Sequence, residues 1–440
     1  MTIAAEEPKE QRGRGRRRFF RAFLGCGLFV LVLVTIAAVL ILPKTFDDPP
    51  YDASGLELVI PDILPEENAA LAFRAAWEEV GPPDDFLFGK VGDTWWNEFL
   101  DGNFRELIES DPQIRQEYWE PILRVLSRLE ESSRLPHFQL LISVSIDDLI
   151  DSSALIRGTG RGFAYRSQLL REDGDPQEIL RALEGWGRVA SLGSGGVQQT
   201  LDLCTSCAYS IRFADRTRDD LSATEGELEP LLAILGSFHH DRAQASASLR
   251  VEYQLFRSVL AKPEFTLMEE AGWTRRLLYL PNRTESIYAE HLRASIVEGE
   301  RTGLVTQRLD IPLIDGTWDG LIHGNSLGWL LIRIASIDSR TAYHYIRRAL
   351  EALRTTQLMV ALVIYEEKHG ELPIELGELV PSILPAVPLD PVDGRPLRFD
   401  RERRVVWAVG ENGIDDGGLD LPGAENPSDI VVKIPNRGGR

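Results

Sequence analysis

The side chains best suited to binding an ion lie in one glycine-rich stretch near the end of the chain. It holds Asp415, Asp416 and Asp429, with a further aspartate at 420, among glycines at 410, 413, 417 and 418. Calcium takes about six to eight oxygen ligands from carboxylates and backbone carbonyls on a loop that can wrap around it. The spacing is not that of an EF-hand. Asn-Gly and Asp-Asp-Gly-Gly are also ordinary turn sequences, so these residues alone favour a solvated acidic turn.

Cys204 and Cys207 form a second candidate site, a Cys-x-x-Cys motif. Such a pair can be a redox centre, half of a metal site or a short disulfide. Zinc is disfavoured because no second pair and no histidine at ligand spacing accompany it. The flanking residues read as helix, and we therefore predict two buried thiols one helical turn apart. A redox pair, or a disulfide in an oxidising compartment, remains the alternative.

Two further motifs are weaker candidates for binding an ion or a phosphate. Adjacent His239 and His240 would point about 100° apart on a helix, so we do not expect them to bind one ion. The glycine-rich run from Arg157 to Gly162 lacks the Gly-Lys-Ser/Thr ending of a phosphate loop, and a kink or close helix contact is predicted instead. No His-Glu-x-x-His motif occurs, and the sequence assigns no reaction.

Composition and charge limit the classes of protein to which this chain can belong. The chain has 440 residues, 43% of them apolar, and a net charge of -20, which disfavours sequence-independent binding of nucleic acid. The charge is uneven. The first 21 residues hold seven Lys or Arg and three Glu, a net of +4, so the other 419 residues carry -24. A basic tail joined to an acidic body indicates a membrane between them.

Residues 22–42 contain no charged side chain. A helix of this length spans roughly 30 Å, the thickness of the hydrocarbon core. The run is longer than a signal-peptide core of about 7–15 residues and no cleavage site follows, so we predict an uncleaved single-pass anchor. Cys26 lies within the run and is interpreted as a residue of the membrane helix. The positive-inside rule places the basic tail, residues 1–21, in the cytoplasm and the bulk in the bacterial periplasm.

The body is predicted to be mainly helical. After a linker at residues 43–60, the apolar spacing of residues 61–340 is typical of amphipathic helices. One helix is predicted from about 146 to 170, and Asp175 with Pro176 predicts the start of the next. Helix pairs joined by short turns resemble an α-solenoid, although no fixed repeat is present.

Two other expectations concern this region. A helix is predicted from Asp219 to Leu235. No regular structure is predicted for residues 261–320, which prolines such as Pro281 interrupt.

The last hundred residues, 341–440, carry an ordered series of motifs. A long helix capped by Asp338 is predicted to end at Lys368, before Gly370. Asp390 and Asp393 are predicted to cap turns, and residues 397–399 and 405–409 to form a hairpin. In this order the series resembles the globular end of type II secretion major pseudopilins. The matching positions are Tyr365, Gly370, Pro373, Leu376, Leu379, Pro381, Asp390, Pro391, Gly394, Pro396, Gly410, Asn412 and Gly413.

The resemblance has definite consequences and limits. It implies a small α+β domain over residues 341–440 and a structural calcium site at Asp415, Asp416 and Asp429. A pseudopilin also needs a glutamate early in a membrane helix directly before this domain. Here no acidic residue occurs from Arg21 to Leu42, and the membrane segment lies about 300 residues upstream. The whole arrangement is similar to membrane-anchored proteins of planctomycete-type bacteria, a likeness that implies no activity.

These observations combine into one prediction with two alternatives. The prediction is a mainly α, single-pass protein of the bacterial inner membrane, with a helical periplasmic region and a pseudopilin-like C-terminal domain. Its role would be protein interaction or scaffolding, with protein partners, a structural calcium ion and no nucleic acid. The alternatives are a periplasmic enzyme or thiol-redox module, and a subunit related to type II secretion pseudopilins.

Overall fold

A computed structural model describes the chain in segments, and the predicted anchor, apart from Thr35, lies outside them. Among the described residues no helix is both long and apolar enough to cross a bilayer. The cap predicted at Asp338 also lies outside the described residues. The structure describes residues 35, 46–79, 104–110, 112–139, 149–194, 198–262, 279–306, 309–311, 324–335, 339–410, 412–419 and 429–436.

The protein is mainly helical, as predicted. A π-helical turn at Arg115–Trp119 precedes α4, and short 3₁₀ turns lie at Pro65–Glu67, Leu221–Ala223 and Leu376–Leu379. The helices are α1 (Ala69–Glu78), α2 (Phe104–Ser110), α3 (Pro112–Ile114), α4 (Glu120–Ser132), α5 (Leu149–Asp173), α6 (Pro176–Gly193), α7 (Thr200–Asp220), α8 (Glu229–Gly236), α9 (Arg242–Leu260), α10 (Pro281–Thr302), α11 (Ser326–Ala335) and α12 (Ser339–His369).

The chain forms two compact units, each described by itself. The larger comprises the described residues of Ser54–Val259, Glu290–Arg308 and Ile337–Arg440. Its core is continuous from Ala69 in α1 to Ile434 after the last strand. One core therefore contains side chains from both the predicted helical region and the predicted C-terminal domain, and the boundary at residues 340 and 341 stays a prediction.

The smaller unit comprises the described residues of Met1–Ala53, Leu260–Ala289 and Leu309–Ser336. The carboxylate of Asp47 accepts hydrogen bonds from the backbone N–H groups of Asn282 and Arg283, at 3.0 and 2.9 Å. These are free donors of the first turn of α10, so Asp47 caps this helix from a distant segment.

Local sequence explains the hairpin of α5 and α6. Gly174 has φ of +73°, which ends α5, and the Asp175 carboxylate then accepts from the N–H groups of Gln177 and Glu178. This confirms the predicted cap with Pro176 at the first helical position. The inner face of α6 presents Trp186, whose ring stacks on Tyr209 of α7 with centroids 5.9 Å apart.

Helices α7 and α12 are joined by Arg218. Its guanidinium donates to Thr356 Oγ1 and the Ala352 carbonyl, both at 2.7 Å, and to Thr355 Oγ1 at 2.8 Å. These partners lie on two successive turns of α12, and both threonine hydroxyls also donate back to carbonyls of their own helix. Arg218 therefore fixes the rotation of the long helix that leads into the C-terminal sheet.

The C-terminal residues form a three-stranded antiparallel sheet in the order β1 (Arg398–Asp400), β2 (Val405–Ala408) and β3 (Ile430–Lys433). The first two strands confirm the predicted hairpin. Gly370, with φ of +82°, ends α12 where predicted. Arg404 in the hairpin turn binds the Glu366 carboxylate of α12 through two hydrogen bonds of 2.7 and 2.8 Å.

Two helix predictions were wrong. The helix expected from Asp219 to Leu235 is interrupted, because Gly226 has φ of +124° and a new helix, α8, begins at Glu229. The region where no regular structure was expected contains α10. Pro281 was interpreted there as an interruption, but it is the first residue of that helix, where its missing N–H costs nothing.

Candidate functional site

The hairpin positions the first of the predicted calcium ligands. Arg398 and Trp407 are cross-strand partners on β1 and β2. The Asp415 carboxylate accepts from Trp407 Nε1 at 3.0 Å, Arg398 Nε at 3.2 Å and the Gly417 N–H at 3.1 Å. The indole hydrogen bond, with help from Gly417 and the positive charge of Arg398, holds the pKa of Asp415 below its usual value. Asp415 is therefore ionised and tied to the sheet.

Arg398 also pairs with two other carboxylates. Its guanidinium forms ion pairs with Asp390 and Asp393. Both aspartates also cap turns as predicted, since Asp390 accepts from the Val392 N–H and Asp393 from the Arg395 N–H, each at 2.9 Å. Three carboxylates thus share one guanidinium, which links the turn before β1 to the acidic loop after β2.

The loop at residues 412–419 is anchored from its other side by Arg403. This guanidinium lies 5.5 Å from the Trp407 ring and donates to the carbonyls of Gly417, at 2.7 Å, and Gly418, at 3.2 Å. Gly418 has φ of +68°, and a Cβ there would lie 2.9 Å from the Trp407 ring. Only glycine can bring the backbone so close to the indole in this conformation.

Asp416 and Asp429 complete the predicted set. Asp416 Oδ2 accepts from Asn412 Nδ2 at 3.0 Å across the loop. Asp429, directly before β3, is 4% exposed, and its Oδ2 accepts from the Gly418 N–H at 2.8 Å. Its Oδ1 is buried and has no hydrogen-bond partner in the described part of the chain. Burial, with the nearby charges of Asp415 and Asp416, raises the pKa of Asp429 against the opposing backbone N–H groups.

These residues fit a calcium ion in part. Among the described residues, Asp429 Oδ1 is a buried oxygen without a donor and Asp416 uses one oxygen in a side-chain hydrogen bond, so both can accept a cation. Asp415 already accepts three hydrogen bonds and pairs with Arg398, so it fits less well as a direct ligand. The described residues contain no group of three or more His, Cys, Asp or Glu arranged to hold a metal, and Asp420 lies outside them.

The cysteine pair is buried within α7. Cys204 and Cys207 are both free thiols, and Cys207 is fully buried. Burial, with the nearby charge of Glu252, raises the pKa of Cys204 to about 12, and burial raises the pKa of Cys207 well above its usual value. Both are therefore protonated at neutral pH, whereas thiol exchange requires the thiolate.

The histidine pair is not on a helix but in the segment between α8 and α9. His240 is buried, with Nε2 2.9 Å from Ser210 Oγ and Nδ1 3.7 Å from Cys207 Sγ. Ser210 donates to the Ser206 carbonyl, so the consistent assignment is that Nε2–H donates to Ser210 and Nδ1 accepts from the thiol. Burial lowers the pKa of His240 to about 4, and His239 lies exposed, so the two do not share an ion.

The glycine-rich run of α5 makes the predicted close helix contacts. A Cβ at Gly160 would lie 2.9 Å from the Tyr209 ring of α7, and one at Gly162 would lie 3.1 Å from Leu126 of α4. The absent side chains therefore let three helices approach each other.

Sequence reasoning missed one motif, Gly324-Asn-Ser-Leu-Gly328, which fits the Gly-x-Ser-x-Gly pattern of serine hydrolases. In the structure, Asn325 adopts the left-handed conformation, with φ of +53°. Ser326 is the first residue of α11. Asn325 Oδ1 accepts a hydrogen bond from the Leu280 N–H at 2.7 Å, and Asn325 Nδ2 donates to Thr284 Oγ1 at 3.0 Å. The pattern therefore serves a buried helix junction in the smaller unit.

The comparisons with known proteins identify no relative. No protein-family model, curated protein or solved structure matches this chain. The chemistry of its own residues is therefore the basis for any functional conclusion.

Proposed function

We propose that this protein is a single-pass envelope protein of the bacterial inner membrane that holds other proteins through its periplasmic part. The charge asymmetry and the uncharged run at residues 22–42 support the anchor. The helical hairpins of the larger unit support a solenoid-like array, and the hairpin after α12 supports a pseudopilin-like end. A calcium ion in the acidic loop would stiffen that end.

The observation that carries the calcium proposal is the state of Asp429. Its Oδ1 is buried with no hydrogen-bond donor among the described residues, and the charges of Asp415 and Asp416 lie nearby, so that burial raises its pKa despite the backbone N–H groups of Gly418 and Asp416. Such a carboxylate is unfavourable unless a positive charge neutralises it. Asp416 and Asp429 would hold the ion together with backbone carbonyls of the loop. Asp415 would orient the loop through Arg398 and Trp407. When bound, calcium supplies the compensating charge and fixes the backbone between β2 and β3.

The same loop offers a surface for a partner. Ile414 and Leu419 flank the aspartates and are 60% and 51% exposed. Single exposed apolar residues are common, but two on a loop held by Arg398 and Arg403 can be presented in a fixed arrangement. We therefore place the protein contact on this loop in its calcium-bound form.

The test uses the full chain in its native membrane. A photo-crosslinking residue replaces Ile414, and a control replaces Val59, which is 84% exposed and lies in the segment before α1. Crosslinking is compared in calcium and in chelator, with and without Asp429→Asn. We expect a discrete product from position 414 only, lost with chelator and with the substitution.

Two results would contradict the proposal. The first is a product from position 414 that is the same in calcium and in chelator. The second is recovery of the chain in the soluble fraction after alkaline washing of the membranes, which would contradict the proposed membrane anchor.

A further inference from the structure

A cavity in the larger unit has a volume of about 830 Å³. This volume is within the range of about 300–1,000 Å³ that is typical of small-molecule sites. Residues 61–64 form one wall, residues 136–139 the second, the end of α6 the third and the segment between α8 and α9 the last. Its described lining contains no residue of the acidic loop, so the cavity is a separate candidate site.

Asn68 fixes the second wall of the cavity. Its Nδ2 donates to the Gln139 carbonyl and its Oδ1 accepts from the Gln139 N–H, both at 2.9 Å. The His137 carbonyl accepts from the Ala69 N–H at 2.8 Å, and the His137 N–H donates to the Glu67 carbonyl at 3.3 Å. The backbone of this wall is therefore held in place without a ligand, which lowers the entropy lost on binding.

Two imidazoles and two carboxylates of the lining are left for a ligand. The side chains of His137, His239, Asp62 and Glu67 line the cavity and form no hydrogen bond or ion pair with any described residue. His239 is positioned through its backbone, because its N–H donates to Ser194 Oγ at 3.0 Å. Both histidines thus have a fixed backbone and a side chain that a ligand can use.

The charge of the lining is negative. It includes Asp62 and Glu67 but no lysine or arginine among its described residues. A carboxylate only accepts hydrogen bonds, and an imidazole accepts one at the nitrogen that carries no proton. These side chains therefore favour a ligand that is positively charged and donates hydrogen bonds. A metal ion fits less well, since the described residues contain no group of three or more His, Cys, Asp or Glu that could hold one.

Apolar side chains supply the remaining contact surface. Leu64 on the first wall and Leu192 at the end of α6 both line the cavity. Leu64 is 56% exposed, so an apolar ligand that covers it removes its side chain from water. The Phe138 ring of the second wall packs edge-on against Phe73 of α1, with centroids 5.3 Å apart. The cavity thus combines acidic groups with fixed apolar surface.

We propose that this cavity binds an organic amine, with its ammonium group on the carboxylates of Asp62 and Glu67 and an apolar or aromatic body against Leu64 and Leu192. The imidazoles of His137 and His239 accept further hydrogen bonds from the ligand. Binding depends neither on calcium nor on the anchor.

Isothermal titration of the purified full chain, in detergent and with chelator present, tests this proposal. The probes share one indole body: tryptamine carries a positive charge, tryptophol none and indole-3-propionate a negative charge. We expect saturable binding of tryptamine. Tryptophol should bind about tenfold more weakly, the loss expected for one charge-assisted hydrogen bond, and indole-3-propionate should not bind. Equal affinity for tryptamine and tryptophol, or no binding of tryptamine, would overturn the proposal.

Matched variants locate the site. Asp62→Asn and Glu67→Gln should each weaken tryptamine binding about tenfold and leave tryptophol binding unchanged, because each removes a charge and keeps the size of the side chain. A variant that fails to fold would lose both ligands. Glu227→Gln is the control, since Glu227 is exposed and lies outside the lining. Unchanged tryptamine affinity in both cavity variants would contradict the assignment.

A second measurement uses the wild-type chain alone. Exchange of the imidazole C2 hydrogen with deuterium, mapped by mass spectrometry, reports the solvent access of each histidine. His137, His239 and His369 are all exposed, and His369 lies outside the cavity. Saturating tryptamine should slow exchange at His137 and His239 and leave His369 unchanged. The same exchange rates at both cavity histidines with and without tryptamine would contradict the site.

Discussion

Replacing Asp429 with asparagine should change stability in opposite directions with and without calcium. Asparagine keeps the size of the side chain, and its carbonyl oxygen can still accept the hydrogen bond from the Gly418 N–H. It removes the buried charge and the oxygen that has no donor in the described part of the chain. The substitution therefore separates the cost of the carboxylate from its use as a cation ligand.

The magnitudes follow from this geometry. Without calcium, a buried unsatisfied acceptor costs about 1–3 kcal/mol, so Asp429→Asn should equal the wild type or exceed it by about 1 kcal/mol. With free calcium at a hundred times its dissociation constant, the wild type should gain about 2.7 kcal/mol. The variant should gain little. Calcium would therefore reverse the order of stability of the two proteins.

The pH dependence of stability, measured in chelator, provides an independent check. The folded-state pKa of Asp429 is raised, so the folded protein binds this proton more readily than the unfolded chain. That contribution to stability is present at low pH and is lost as the pH rises through the folded-state pKa. The asparagine variant should lack it.

Hydrogen exchange at the β2 and β3 amides gives the local free energy of opening at this site. Asp219→Asn is the control, because Asp219 is exposed at the end of α7. Magnesium serves as the comparison ion, since it needs a tighter octahedral shell than this open loop suggests. Equal protection of β3 with and without calcium in the wild type would contradict a calcium ion held by Asp429, as would a calcium response kept by the variant.

Three further results are expected elsewhere in the larger unit. Arg218→Met should lower the free energy of unfolding by about 2–4 kcal/mol, measured by urea denaturation against Arg181→Met, because it removes the charged donor that joins α7 to α12. Cys207, which is fully buried, should react with thiol reagents only as fast as the protein unfolds, and rapid cycling of Cys204 and Cys207 as a redox pair would contradict the protonated state of both thiols. His240 has a folded-state pKa of about 4, below its usual 6.5, so its contribution to stability should be lost as the pH falls from 6.5 to 4, by up to about 3 kcal/mol; a His240→Gln variant that keeps the same acid profile would exclude this group as the cause.

Local chemistry made much of the fold predictable. The Asp175–Pro176 helix start, the Gly370 helix end and the hairpin after residue 397 each depend on a few neighbouring residues. The errors came where two signals compete. Pro281 both interrupts one helix pattern and begins another, and its role depends on capping by Asp47 from a distant segment, which spacing cannot show.

The sequence predicts which residues belong to the candidate site, but not which of them contact each other. Acidic and glycine residues indicated an ion loop, yet nothing local showed that Arg398 would pair with Asp415, or that Asp429 would be buried with an oxygen lacking a donor among the described residues. Those facts depend on the register of the strands, which pairs Arg398 with Trp407.

Calcium binding by the acidic loop can be measured as the calcium content of the full chain. Purified protein is freed of metal with chelator, dialysed against radioactive calcium in excess magnesium, and counted per mole of chain. The calcium loop proposed here predicts about one ion per chain in the wild type and in Asp219→Asn, and almost none in Asp416→Asn or Asp429→Asn. Absence of bound calcium from the wild-type protein, or equal binding by all four proteins, would contradict it.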